Sequence, residues 1–276
     1  MRLVLFDGGR LGVLKGDRVV DATGLLGGER LRFPLTRMHV AIEDWAALQP
    51  RLAALAASDA GVPLASVRLE APMPSPTKLI GAFSNYRRHT QEMRGEGAVQ
   101  AAPDILLKAP SAIVGPADAI VLPRTDRQIH HEPELALIIG RRARNVSVED
   151  ALEVVFGWTM LLDITVRGDG DRSRRKSHDS FAPMGPAIVT TDEVSDPQRL
   201  GIRLWVNGKL RQDANTADMT FGIAQIISYA SAVMTLYPGD VIATGTPEGV
   251  APIIAGDTVS IEIEGLGRMD IPVTGA

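Results

Sequence analysis

Apolar and polar positions along the chain recur with two different spacings, and the shorter one predominates. Residues 1–22 alternate around Gly8-Gly9 and Gly16, which is typical of short strands joined by tight turns. After residue 78, further short apolar runs predict strands, at 78–83, 120–122, 134–139, 187–189, 202–206, 241–244 and 258–263.

Three segments are predicted to be helical. Residues 39–57 repeat apolar side chains at intervals of three and four, which places them on one face of a helix. Residues 220–234 carry a similar apolar stripe, and residues 148–160 are assigned to a third helix. Because strands outnumber helices and do not alternate regularly with them, a mainly β protein of mixed or barrel-like architecture is favoured over a doubly wound parallel sheet.

A proline-rich segment divides the chain. Residues 71–76 read APMPSP, and three prolines so close together cannot lie inside a helix or a central strand. We therefore expect a small N-terminal α+β domain at 1–70, a linker at 71–77 and the main domain at 78–276.

Composition narrows the class of partner and compartment. The 276 residues carry 29 Lys and Arg against 33 Asp and Glu, a net charge of −4, which argues against a nucleic-acid partner because phosphate binding needs clustered positive charge. The sequence has no cysteine, so thiolate chemistry and cysteine-based zinc sites are excluded. With no apolar run long enough to span a membrane and no signal peptide, we expect a cytoplasmic protein that does not associate with membranes.

The most informative pattern is a pair of glutamates at the start of an apolar strand. Glu132 and Glu134 flank Pro133 and precede Leu135, so in a strand they would share one face, roughly 7 Å apart. Two buried like charges are costly. Either the side chains point into water, or one of them is protonated, or a cation lies between them; for the two glutamates on their own, the first alternative would be preferred.

A third carboxylate changes that preference. Asp163 ends an apolar stretch that begins at Val154, and a buried lone aspartate needs a partner. Three carboxylates form a hard-ligand set that selects Mg²⁺, Mn²⁺ or Ca²⁺ over zinc or copper. We therefore predict that Glu132, Glu134 and Asp163 bind a divalent cation.

Taken in order, the motifs of this region resemble the fumarylacetoacetate hydrolase family. The resemblance covers roughly residues 78–273. It rests on Glu-x-Glu at 132–134, Leu-Asp-Ile-Thr-x-Arg at 162–167, the segment 176–186 (KSHDSFAPMGP), Val-Asn-Gly at 206–208 and the segment 238–250 (PGDVIATGTPEGV). The series is highly specific, although the glutamate pair alone is not.

The resemblance implies a mixed β-sandwich roll, a homodimer, and Mg²⁺ or Mn²⁺ (Ca²⁺ in some members) used on small 2-oxo acids. Carried over by position, Glu132, Glu134 and Asp163 would be the metal ligands. Lys176 and Thr246 would contact the oxygens of the substrate, Arg167 would support the region around Asp163, and Tyr86 is taken as a further substrate contact.

A histidine and a glutamate lie three residues apart after the strand at 78–83. On a helix, His89 and Glu92 share a face, and a carboxylate beside an imidazole makes a general base that can activate water. A surface ion pair is the more common meaning of this spacing. The resemblance, however, places a His-x-x-Glu dyad on a mobile helix here, and residues 94–102 have the composition of a flexible lid.

The chain also departs from the family pattern. No acid occurs at 83–86, where hydrolases of the founding type add a fourth metal ligand, and Gly170 stands where many members have glutamine. Gln212 could supply the polar contact instead. His178 replaces an expected aromatic residue. In the basic run 171–176, the arginines are read as solvated and only Lys176 as functional.

These features favour a metal-dependent hydrolase that cleaves a C–C bond in an acylpyruvate or related β-diketo acid, with water activated by His89 and Glu92. The alternatives are decarboxylation of an oxaloacetate-type acid and isomerase or hydratase activity in aromatic catabolism. A binding protein without catalytic activity is disfavoured because the carboxylates and the dyad are both present.

Overall fold

The computed structural model describes residues 1–26 and 35–276. Strands predominate in this part of the chain, as predicted. The α-helices are α1 (Arg37–Glu43), α2 (Trp45–Ser58), α3 (Arg87–Arg94), α4 (Arg172–Lys176) and α5 (Ile223–Val233). The strands are β1 (Arg2–Phe6), β2 (Arg10–Lys15), β3 (Arg18–Asp21), β4 (Val62–Pro63), β5 (Leu69–Glu70), β6 (Leu79–Ala82), β7 (Ile105–Lys108), β8 (Ile113–Val114), β9 (Ile120–Leu122), β10 (Ile129–His130), β11 (Pro133–Ile139), β12 (Val155–Leu162), β13 (Thr165–Val166), β14 (Ala182–Thr190), β15 (Gly201–Val206), β16 (Lys209–Asn215), β17 (Val241–Ala243), β18 (Thr258–Ile263) and β19 (Gly267–Gly275).

Two sheets form the main layers. A 12-stranded mixed sheet follows the order β4-β3-β2-β1-β14-β12-β11-β17-β6-β7, with β5 and β8 added to β1 and β14, and a five-stranded sheet follows the order β16-β15-β18-β19-β9. Strands β11, β12 and β14 of the large sheet lie against β15, β18 and β19 of the small one. Buried apolar side chains fill the space between the layers, which gives the mixed β-sandwich that the family resemblance implied.

The N-terminal residues extend the large sheet. Strand β1 pairs antiparallel with β14, with Leu3 opposite Ile188. The proline-rich residues 71–76 contain no helix or strand. The division of the chain at 70 and 77 stays a prediction, since a continuous sheet runs across it.

Two helix predictions need correction. Residues 39–57 form two helices, α1 and α2, which meet at Asp44. Residues 148–160 are not helical, because one 3₁₀ turn at Ala151–Val154 leads directly into β12. Every residue of β12 is buried, and a continuous apolar run of this kind does not distinguish a central strand from a buried helix. The helix predicted at 220–234 is confirmed as α5.

The centre of the large sheet carries the polar residues of interest at its strand ends. Strands β11 and β12 are antiparallel and buried along their whole length. The chain therefore changes from apolar to charged residues at one end of this pair, where Glu132 precedes β11 and Asp163 follows β12. Among the described residues, no helix is both long and apolar enough to cross a bilayer.

Candidate functional site

The three predicted carboxylates meet at one end of the β11–β12 pair. Pro133 lies opposite Leu162 in this ladder, so Glu132, which precedes β11, and Asp163, which follows β12, are brought side by side. Their backbones are joined by a hydrogen bond from Asp163 N to Glu132 O of 2.8 Å. One ligand atom from each of Glu132, Glu134 and Asp163 lies within 4.8 Å of the others, and all three side chains are buried.

Three cationic side chains surround these carboxylates. Lys176 donates to Glu132 Oε2 at 2.9 Å, to Asp163 Oδ2 at 2.5 Å and to Thr165 Oγ1 at 2.7 Å. Arg167 Nη2 donates to Glu132 Oε1 at 2.6 Å. Lys108 Nζ donates to Asp163 Oδ1 at 2.6 Å and to the carbonyl of Phe181. Charges within this buried cluster are therefore matched, three acidic groups against three basic ones.

The pKa values of the two glutamates are shifted in opposite directions. Burial alone would raise the pKa of Glu132, but Lys176 and Arg167 outweigh it and lower that pKa to about 2. Burial raises the pKa of Glu134 well above its ordinary range, with Asp163 acting in the same direction. Burial opposes the charge of Lys176, yet Asp163, Glu132 and Glu134 together raise its pKa. Glu134 is thus the carboxylate whose negative charge is least compensated.

Glu134 is held by a backbone donor that requires glycine. Gly245 N donates to Glu134 Oε2 at 2.8 Å. Its φ is +97°, and a Cβ at this position would lie 2.8 Å from the Cβ of Asn85. Both the backbone conformation and the close approach therefore exclude a side chain. Thr246, the next residue, is buried and faces the same cavity.

The predicted dyad forms on α3. His89 Nδ1 lies 3.1 Å from Glu92 Oε2, and Gly249 N donates to Glu92 Oε1 at 3.1 Å. His89 is buried. Burial opposes ionisation of Glu92, but the hydrogen bond from His89 and that from Gly249 outweigh it and lower the pKa of Glu92. The carboxylate therefore stays charged beside the imidazole, as orientation of a general base requires.

The start of α3 is anchored by Asn85. Its Nδ2 donates to the carbonyls of Phe221 and Thr244 at 3.0 and 2.9 Å, and its Oδ1 accepts from Phe221 N at 2.9 Å. Because residue 244 adjoins the loop that holds Glu134, the same contact ties the helix to the carboxylate end of the sheet.

One cavity of about 350 Å³ joins the two groups of residues. It is lined by Ala82, Phe83, Ser84, His89, Met93, Arg94, Leu106, Glu132, Glu134, Asp163, Thr165, Arg167, Gly168, Asp169, Arg172, Arg175, Lys176 and Thr246. The structure therefore brings the carboxylates, Lys176, Arg167, Thr246 and His89 to a single space. A chelating oxo acid beside a candidate base fits this arrangement chemically.

Other residues named from the sequence lie around this cavity without lining it. Gln212 donates to Thr246 Oγ1 at 3.2 Å and to Pro247 O at 2.8 Å, so it positions the loop after β17. The hydroxyl of Tyr86 is buried and has no partner among the described residues. The ring of His178 packs against that of Phe181 at a tilt of 51°, and His178 lines a different cavity. Gly170 belongs to that second cavity as well.

Two features of the site were not predicted. Lys108 ends the strand β7 and is buried. A lone lysine closing an apolar strand is the same signal that pointed to Asp163, so the sequence contained a clue to it. Arg172 and Arg175 line the cavity, although the sequence favoured solvated side chains for both; their positions depend on how α4 folds against the sheet.

The chain is similar to known proteins along its whole length. The family model described as fumarylacetoacetate (FAA) hydrolase, C-terminal, matches residues 78–274. The chain is 40% identical to a maleylpyruvate hydrolase of Aquipseudomonas alcaligenes over 284 residues, 99% of each chain. It is 39% identical over 203 residues to a 4-hydroxyphenylacetate degradation bifunctional isomerase/decarboxylase of Escherichia coli, covering 71% of this chain and 47% of that protein.

A solved structure matches the whole chain. The maleylpyruvate hydrolase of Sphingobium sp. SYK-6, crystallised in complex with manganese (II) ion and pyruvate, superposes with a TM-score of 0.91 at 46% identity, with all of both chains covered. The similarity therefore extends through the N-terminal residues as well as the region matched by the family model.

Proposed function

The chain belongs to the fumarylacetoacetate hydrolase family, and from that premise we propose that it is a divalent-metal-dependent hydrolase that cleaves the C–C bond of an acylpyruvate. The observation that carries the proposal is the single cavity in which His89 faces Glu132, Glu134 and Asp163. A base beside a hard-ligand set suits hydrolysis of a chelating oxo acid. The similar hydrolase from Sphingobium binds manganese and pyruvate.

The residues present fit a hard divalent cation. Glu132, Glu134 and Asp163 offer carboxylate oxygens within 4.8 Å of one another, and oxygen donors suit Mg²⁺ and Mn²⁺. The pKa of Glu134 is raised because its negative charge is unfavourable in the buried cluster, and a bound cation would compensate that charge. When bound, the cation would supply Lewis-acid chemistry by polarising the 2-oxo-carboxylate of the substrate.

The protein side chains supply the other steps. His89, oriented by Glu92, takes a proton from water, whose oxygen bonds to the distal carbonyl carbon of the substrate. The C–C bond then breaks, its electron pair passes to the pyruvate fragment as an enolate, and the distal fragment leaves as a carboxylic acid. The positive charge of Lys176 stabilises the enolate, and the proton that His89 took from water passes to the enolate carbon, which gives pyruvate. Thr246 and Arg167 line the cavity and orient the substrate.

Decarboxylation or isomerisation is the second candidate, because the Escherichia coli relative carries both activities in its name. Those reactions need the same enolate stabilisation without an attacking water. The buried His89, paired with Glu92 at 3.1 Å, is the feature that favours hydrolysis over them.

A substrate screen tests the proposal. Purified protein with Mn²⁺ or Mg²⁺ would be given maleylpyruvate, fumarylpyruvate, a simple acylpyruvate and oxaloacetate, and pyruvate, carboxylic acid and CO₂ would be quantified separately. We expect cation-dependent release of pyruvate and a carboxylic acid in equal amounts. Release of CO₂ from oxaloacetate with no acylpyruvate cleavage would favour the decarboxylase, and no turnover of any compound would refute both.

Three further expectations, on oligomeric state, location and domain boundary, accompany the proposed function. The family resemblance supports a homodimer, which sedimentation equilibrium would test. Composition supports a cytoplasmic location, which fractionation would test. A domain boundary at residues 71–77 is supported by the proline-rich sequence there, and limited proteolysis would test it.

A further inference from the structure

We propose that Arg94 and Arg172 bind a second carboxylate at the far end of the substrate, so that the enzyme selects oxo diacids over oxo monoacids. The inference rests on the proposed function for the identity of the oxo-acid end. The two guanidinium groups lie on different helices, at the end of α3 and the start of α4, and both line the cavity.

The acidic groups of the site are balanced by basic residues other than Arg94 and Arg172. The three carboxylates of the site are matched by Lys108, Lys176 and Arg167. A divalent cation would therefore give the cavity a positive surplus before Arg94 and Arg172 are counted. Asp169 is the one other acidic residue among the described residues of the wall. A substrate with more than one negative charge compensates this surplus better than a monoanion does.

The remaining basic residues of the wall are already engaged. Arg167 Nη2 bonds Glu132 at 2.6 Å. Arg175 donates to two backbone carbonyls, Val166 O at 3.1 Å and Gly170 O at 3.3 Å. Arg167 is thus held beside the predicted metal ligand Glu132, at the oxo-acid end of the cavity, and Arg175 is held against the backbone of residues 166–170.

Arg94 and Arg172, by contrast, keep donors available. Arg94 contacts neutral oxygens, Gln100 Oε1 at 3.1 Å and Ser84 Oγ at 3.4 Å. Arg172 reaches Asp104 Oδ2 only at 3.5 Å, with both side chains about half exposed, and such a surface pair contributes little. Each guanidinium has five N–H donors, so either can still offer two parallel donors to a carboxylate.

Phe83 contacts both guanidinium groups. The carbon at the centre of the Arg172 guanidinium lies 3.5 Å from the centroid of the Phe83 ring, and that of Arg94 lies 5.0 Å from it. Contact with an aromatic ring orients a guanidinium and offsets part of its charge. Phe83 is itself part of the cavity wall, so the pair faces the substrate space.

Matched substrates test the proposal. Two acylpyruvates of equal length, one ending in a carboxylate and one in a methyl group, would be compared for wild type and for the double variant R94Q/R172Q. We expect kcat/KM for the diacid to fall about 30-fold in the double variant, mainly through KM, because charge-assisted bonds are lost. We expect less than about a threefold change for the methyl compound, which makes no such bonds.

The control is R87Q/R174Q, which removes the same charge from the same two helices at exposed positions outside the cavity wall. We expect it to retain the diacid preference. An equal loss on both substrates in R94Q/R172Q would show that the arginines hold the helices rather than the substrate, and an unchanged kcat/KM for the diacid would exclude them. Either result overturns the proposal.

A binding measurement separates this proposal from the hydrolase assignment. Calorimetric titration of the Mn²⁺-loaded protein with 2-oxoheptanedioate and 2-oxoheptanoate needs no turnover. We expect the wild type to bind the diacid about tenfold more tightly, and R94Q/R172Q to bind both acids equally. Equal binding by the wild type would refute the carboxylate site even if acylpyruvates are cleaved. A diacid preference that disappears in the variant would support the site even if they are not.

Discussion

The cavity has two walls that the chain builds differently. The sheet wall consists of Glu132, Glu134, Asp163 and Lys176, which lie at the ends of β11 and β12 or pack against them, each 7% exposed or less. The helix wall consists of α3 with His89 and Glu92. Within α3 only His89 and Thr90 are buried, and the Glu92 side chain is 33% exposed.

The two walls also differ in how their side chains are fixed. In the sheet wall, each carboxylate is bound to a backbone amide or to a basic side chain, within a ladder of hydrogen bonds. The helix wall depends on a few contacts at its start, on the largely exposed ion pair between Arg88 and Glu248, and on the bond from Gly249 to Glu92. Elements with few buried contacts open more readily. We therefore infer that the sheet wall, which is more rigid, binds the cation, and that the helix wall, which moves more readily, positions the attacking water.

The largest effect is expected from Glu134→Gln in the sheet wall. The amide keeps an acceptor for Gly245 N–H but loses the negative charge, so cation binding and hydrolysis should fail together, with turnover reduced by at least about 10⁴-fold. Electron paramagnetic resonance of a Mn²⁺ titration and steady-state kinetics would measure both. Glu153→Gln, at an exposed ion pair with Arg141, is the control. An unchanged Mn²⁺ titration would remove Glu134 from the ligand set.

His89→Ala, in the helix wall, is expected to have a smaller and more selective effect. Without its general base, hydrolysis should slow about 10³-fold, while Mn²⁺ affinity stays within about twofold of wild type because the carboxylates are untouched. Kinetics and Mn²⁺ titration on the same samples would separate the two walls. Arg87→Ala, exposed on the same helix, should behave as wild type. Full hydrolytic activity in His89→Ala would contradict the role of the helix wall.

In the variant Lys108→Met, the free energy of unfolding tests the charge balance of the sheet wall. Removing a buried partner of Asp163 should cost about 3 kcal/mol in the metal-free protein, measured by denaturant unfolding. Added Mn²⁺ should restore more stability than it gives the wild type, because a cation replaces the lost charge. Lys78→Met breaks another ion pair to a buried aspartate, Asp240, and should show only the ordinary Mn²⁺ effect. An equal Mn²⁺ response in both variants would argue against a cation beside Asp163.

The sequence anticipated the two walls unequally. In the sheet wall, the glutamate pair alone was not specific, but Asp163 at the end of an apolar stretch indicated a cation site, because burial of an unpaired charge is costly. His89 and Glu92 carried a weak signal, since the same spacing occurs in ordinary surface pairs. For residues 148–160 the apolar run was read as a helix and is the strand β12, because periodicity disappears when both faces are buried.

Beside what the family resemblance implied for Lys176 and for the His89–Glu92 dyad, the sequence by itself predicted a set of hard oxygen ligands in a mainly β chain without cysteine. Local patterns carry this information because side-chain chemistry and strand alternation are properties of neighbouring residues. Only the tertiary structure decided that Lys108 pairs with Asp163 and that Arg94 and Arg172 both contact Phe83. Those contacts join residues distant in the chain, and their distances depend on how the helices pack against the sheet.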